Sequence, residues 1–111
     1  MSAAERALGA DPAPVFAALG DRTRLALLMR LRGGGALSIS RLAADTRLTR
    51  QAVTKHLHVL EKAGLVGSSR TGRESRYALQ PDSIAAARAF LDDISAQWDE
   101  ALGSLKAFVE D

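Results

Sequence analysis

The chain contains no cysteine, which excludes disulfides, thiolate metal sites and thiol redox sensing by these residues. It fits a reducing cytosol. No apolar run approaches the roughly 20 residues of a membrane span, and the first residues, MSAAERALGADPAP, lack the apolar stretch of a signal peptide. A cytoplasmic protein that does not engage a membrane is therefore expected. Gly33-Gly34-Gly35 lacks the Lys-Ser/Thr and the following helix that a phosphate-cradling P-loop needs, so it reads as a flexible loop. No nucleophile, base and orienting residue occur as a set, and no cluster of metal-binding side chains is visible. No enzyme and no cofactor are expected.

With 111 residues the chain suffices for one domain. Its net charge of +2 hides an asymmetry. Residues 41–76 hold eight Lys and Arg against three Asp and Glu, whereas residues 77–111 hold two against seven. A basic middle beside an acidic tail suggests a polyanion-binding centre and a tail that stays away from the polyanion.

The basic middle contains the stretch TRQAVTKHLHVLEKAG, residues 49–64. Thr49 can cap a helix by accepting from a backbone N–H two or three residues on, and Gly64 can end it at positive φ. Val53, Leu57 and Leu60 repeat at the spacing of one buried face. The other face carries Thr49, Arg50, Gln51, Thr54, Lys55 and His58, with no carboxylate before Glu61. A solvated helix usually mixes charge signs to gain i,i+4 pairs; a carboxylate-free face suits phosphates and base edges. Arg50, Gln51 and Thr54, in the first turns, are the residues expected to reach bases.

Around this helix the remaining elements follow in order. Residues 1–11 are small and polar and read as a flexible segment. Pro12 and Pro14 open a short helix bearing Val15, Phe16 and Leu19, which Gly20 ends. Asp21 caps a helix over Arg22 to Leu31, with Leu25, Leu28 and Met29 expected inside, Leu27 and Leu31 at the edges, and the arginines other than Arg24 on a solvated rim. Residues 36–39 suit a short strand, and Ser40 is the expected cap of a short helix carrying Leu42 and Ala43. Thr46-Arg47-Leu48 forms a turn with Leu48 inward. Short helix, turn and longer capped helix make a helix-turn-helix. Residues 65–70 and 74–80 alternate as two strands joined at Thr71-Gly72-Arg73, with Val66, Tyr77 and Leu79 inward. Arg70, Arg73 and Arg76 make this hairpin basic, as expected of the wing of a winged helix. After Pro81 one long helix is predicted, with Ile84, Ala87, Leu91, Ile94, Trp98, Ala101, Leu105 and Phe108 in an unbroken a/d stripe. That stripe is too long for a small domain to cover alone. It predicts packing against the first helix and a second subunit through Phe16, Leu91, Ile94, Trp98, Leu102, Leu105 and Phe108.

Three blocks, FAALGDRTRLALLMRL at 16–31, LSISRLAADTRLTRQAVTKHLHVLEKAGLV at 37–66 and GRESRYAL at 72–79, together resemble the ArsR (ArsR/SmtB) family of bacterial winged-helix repressors. The tail SAQWDEALGSLKAFVED resembles a subgroup with a Trp-bearing C-terminal helix. The resemblance implies a homodimer that represses by occupying an inverted-repeat operator on double-stranded DNA and leaves it when an effector, here unidentified, binds. It makes residues 50–63 the recognition helix and 65–80 the wing. Metal sensors of the family often carry two cysteines where this chain has Ser38 and Ser40, and hydroxyls are poor ligands for soft metals. His56 and His58, two apart on a helix, point in different directions and do not chelate together.

The expected architecture is thus mainly α with a small β-hairpin (α+β). It comprises a flexible segment at 1–11, a winged helix-turn-helix at 12–80 and a C-terminal dimerisation helix at 81–111 within the same compact domain. The alternative reading is a winged helix that binds protein rather than DNA, its acidic heptad-like tail seizing another helix.

Overall fold

The computed structural model describes residues 11–44 and 46–110; the segment read as flexible lies, except for Asp11, outside them. Helix α1 (Ala13–Leu19) opens with Pro14 in its first turn, and Asp11 Oδ1 accepts from the Ala13 N–H at 3.0 Å. Asp21 caps α2 (Arg22–Leu31), its carboxylate accepting from the Arg24 backbone N–H at 3.0 Å. Strand β1 (Leu37–Ser38) runs directly into α3 (Ile39–Ala43). The turn that follows leads to α4 (Arg50–Lys62), then β2 (Val66–Thr71), β3 (Glu74–Leu79) and α5 (Pro81–Glu110).

The expected hairpin is the larger part of a three-stranded antiparallel sheet of order β1-β3-β2. Leu37 faces Tyr77 across β1 and β3, and Val66 faces Leu79 across β2 and β3. Pairing with β1 covers one edge of β3. Ser38 ends β1 with extended backbone, and its Oγ accepts from the Arg41 N–H at 3.2 Å. The cap of α3 is therefore Ser38 and not Ser40, which sits exposed within the first helical turn.

The core gathers Ala18, Leu27, Leu31, Leu42, Val53, Leu57, Leu60, Leu65, Val66 and Tyr77. Leu48 packs against it, as its turn position suggested. Leu65, directly after the helix-ending glycine, is completely buried although no periodicity marks it. In α2 the expected orientation is rotated. Leu27 and Leu31 are buried and Leu28 partly so, whereas Leu25 and Met29 are 46% and 56% exposed. The run LALLM is apolar around most of the helix, so its phase comes from packing against α1 and α4 and not from its own pattern.

Helix α5 rests its first turns on α1. The Phe16 and Phe90 rings lie 5.6 Å apart at a tilt of 53°, within the range favoured by aromatic pairs, and Ala87 is buried. Phe16, expected at a subunit interface, thus has a partner in its own protomer. From Leu91 to Glu110 every residue is exposed. Thirty residues of helix span about 45 Å, and the molecule measures 67 × 34 × 22 Å.

Candidate nucleic-acid interface

The local rules that start and stop α4 also set what it presents. Thr49 is extended, and its Oγ1 accepts from the Ala52 N–H at 3.1 Å. At the far end the Gly64 N–H donates to the Glu61 carbonyl and the Leu65 N–H to the Leu60 carbonyl, both at 2.9 Å. With Gly64 at φ 79° this is a Schellman termination, and it turns the chain sharply into β2. Val53, Leu57 and Leu60 are buried, so the opposite face must point outward. Arg50, Gln51, Thr54, Lys55 and His58 line one shallow groove along it.

Among the described residues, the side chains of Arg50, Gln51, Lys55 and His58 have no hydrogen-bond or ion-pair partner. Thr54 differs. Its hydroxyl donates to the Arg50 carbonyl at 2.7 Å, so toward a ligand it offers an acceptor and a methyl group but no proton. Thr49 has the reverse bias, its oxygen being engaged by the helix cap.

The histidines part company as their spacing requires. His58 is exposed in the groove, whereas His56 faces inward. His56 Nδ1 lies 3.4 Å from an Arg24 guanidinium nitrogen and 3.8 Å from Asp21 Oδ2. Arg24 also donates to the carbonyls of Ala18 at 2.7 Å and Ala17 at 3.2 Å. It thereby satisfies the C-terminal end of α1 while touching α4, in keeping with its exception from the solvated rim. The Arg24 N–H bond, ahead of smaller contributions, holds the Asp21 carboxyl below its ordinary range. Arg30, expected on the rim, instead donates to the Arg41 carbonyl at 3.0 Å and ties α2 to α3.

The wing begins at the Schellman turn. Thr71 pairs with Glu74, leaving Gly72 and Arg73 as a two-residue loop. Gly72 has φ 64° and no non-glycine residue among those described has positive φ; glycine first in such a loop is the type II′ preference. Its three arginines do not form one cluster. Arg70 faces Ser75 and Arg76 faces Ser69, so strand alternation puts Arg70 and Arg76 on opposite faces of the ribbon, with Arg73 at the tip. Arg76 is engaged by Glu74 at 3.2 Å. Burial raises the Tyr77 hydroxyl pKa, with Glu61 adding to the shift. Glu61 in turn accepts from Ser68 Oγ at 2.5 Å, joining α4 to the wing.

A helix-turn-helix domain family matches residues 19–67. The chain is 40% identical over 92 residues to the HTH-type transcriptional regulator Rv2034 of Mycobacterium tuberculosis, covering 83% of this chain and 82% of that protein. An ArsR-like transcriptional regulator from Rhodococcus sp. RHA1 superposes with a TM-score of 0.76 at 40% identity, over 87% of this chain and 91% of that one. The chain belongs to the ArsR family of transcriptional regulators. A homodimeric winged helix-turn-helix DNA-binding domain from Mycobacterium bovis is also similar, with a TM-score of 0.61 at 26% identity over 77% of each chain.

Ser38 is buried and capping α3, and Ser40 is an exposed hydroxyl. Among the described residues no three His, Cys, Asp or Glu side chains converge as metal ligands.

Proposed function

We propose that this ArsR-family regulator is a homodimer that recognises an inverted-repeat operator and represses by occupying it, without thiolate metal sensing. One observation carries the reading: the outward face of α4 presents cationic and amide side chains without a partner among the described residues, on a helix whose other face is locked into the core. Charged and polar groups kept free of internal partners are available for phosphates and base edges. Thr49, Arg50, Gln51, Thr54, Lys55 and His58 make the helix contribution, and Arg70, Arg73 and Arg76 the wing contribution, with Arg76 attenuated by Glu74.

The dimer uses α5. Leu91, Ile94, Trp98, Leu102, Leu105 and Phe108 form a stripe left exposed among the described residues, and a continuous apolar patch of this kind marks an interaction surface. The homodimeric relative supports pairing of two copies. Two α4 helices related by a two-fold axis would enter successive major grooves, with half-site centres about 34–36 Å apart or a multiple of that.

Selection of bound duplexes from a random pool tests this. An enriched inverted repeat, with affinity falling steeply as salt rises, is the expected result. A protein that prefers no inverted repeat over random duplex at moderate salt would refute the operator reading and return the winged helix to protein interaction.

A further inference from the structure

Arg50 stands on a ridge between two concavities. On one side is the open groove along α4. On the other is a cleft of about 180 Å³ between the start of α4 and the wing tip, lined by Ser40, Arg50, Arg73, Glu74 and Ser75 among others. The two arginines are 23 residues apart in sequence and come from different elements, yet they face one cleft.

The charges there are unbalanced in a way that calls for an anion. Among the described residues neither the Arg50 nor the Arg73 guanidinium has a partner. The one carboxylate lining the cleft, Glu74, is already held by Arg76, whose Nε and terminal nitrogen lie 3.3 and 3.2 Å from Oε2. Two guanidiniums sharing a cleft repel unless an anion sits between them, and guanidinium forks match phosphate oxygens in geometry. The hydroxyls of Ser40 and Ser75 add donors on the cleft wall.

Duplex geometry supplies the ligand. A helix in the major groove and a hairpin reaching the neighbouring minor groove have one sugar–phosphate strand between them. The Arg50–Arg73 cleft lies where the start of α4 approaches the wing tip. We propose that it is a seat for a single DNA backbone phosphate, clamped by Arg50 from the recognition helix and Arg73 from the wing. Arg50 then sets the register of the protein on DNA, and base reading falls to Gln51, Thr54, Lys55 and His58. This rests on the operator-binding reading above.

The test uses the full-length protein and its selected operator, synthesised with a neutral methylphosphonate replacing one phosphate at a time. Wild type should show one position per half-site at which neutralisation lowers affinity about tenfold and flattens the salt slope by about one. Arg50→Ala and Arg73→Ala should each bind more weakly on the unmodified duplex, and both should lose part of the methylphosphonate sensitivity at that same position. Both side chains are exposed, so thermal unfolding should be unchanged. If the variants lose sensitivity at different phosphates, or Arg50→Ala instead alters the selected base sequence, the shared seat is wrong while operator binding stands. A wild type that selects no operator overturns both.

Discussion

At the scale of single residues, recognition depends on which polar atoms the fold has already used. Gln51 is free at both ends of its amide, so it can satisfy an adenine edge bidentately. Gln51→Ala should relax preference at one operator position and cost about 1–3 kcal/mol there. Thr54, with its proton committed to the Arg50 carbonyl, is restricted to accepting from adenine or cytosine amino groups or touching a thymine methyl. Arg73→Ala, by contrast, should weaken all sequences alike. Binding selections on the two variants distinguish these outcomes; identical sequence-independent losses would contradict base readout by the helix. Tyr77 gives a residue-scale handle on stability. Its pKa is raised above 10.0 in the fold, chiefly by burial and then by Glu61. The folded state therefore holds the phenolic proton more tightly than the unfolded chain does. The associated stability is complete below pH 10.0 and is lost as pH rises through the higher folded value. Tyr77→Phe should remove that alkaline component, which denaturation midpoints measured at neutral pH and above pH 10 would show.

At the scale of elements, the join between α4 and β2 places the wing relative to α4. Gly64 adopts φ 79°, and a Cβ there would lie 2.7 Å from Ser83 Oγ in the first turn of α5. Gly64→Ala should cost about 1–2 kcal/mol from the left-handed backbone alone, with a further loss from the clash. Adding Ser83→Ala should recover the clash part and leave the backbone part, a pattern readable by urea denaturation of the single and double variants. A Gly64→Ala protein as stable as wild type would show that the turn is not strained by a side chain. The same join brings α5 near the end of α4: Ser83 lies beside Gly64, while Phe90, two turns on, packs against Phe16.

At the scale of the whole molecule, the protomer is elongated because the second half of α5 runs on, exposed, past the other described elements. Trp98 is 64% exposed and Phe108 81% exposed. Truncating an exposed side chain removes little from protomer stability, so the effect of Trp98→Ala belongs to association. It should raise the monomer fraction and weaken operator binding, with the unfolding of the winged helix itself scarcely changed. Sedimentation of wild type and variant at micromolar concentration measures this. A variant that dimerises and binds normally would remove Trp98 from the interface.

What the sequence determined by itself is the set of features governed by a few neighbouring residues. The caps at Asp21 and Thr49, the stop at Gly64, the buried triad Val53-Leu57-Leu60 and the long α5 stripe all follow from interactions within one or two turns. Family membership was legible too, in the three motif blocks. Tertiary structure decided what depends on approach from elsewhere. It chose which side of the apolar run in α2 is buried, and moved the α3 cap to Ser38 by joining β1 to β3. It also split Arg70 from Arg76 across the ribbon and engaged Arg24 and Arg30. Above all, it brought Arg50 and Arg73 to one cleft. Hydrogen-bonding rules and periodicity act over a few residues, whereas those adjacencies exist only after helix packing and strand register have set the distance between remote parts of the chain.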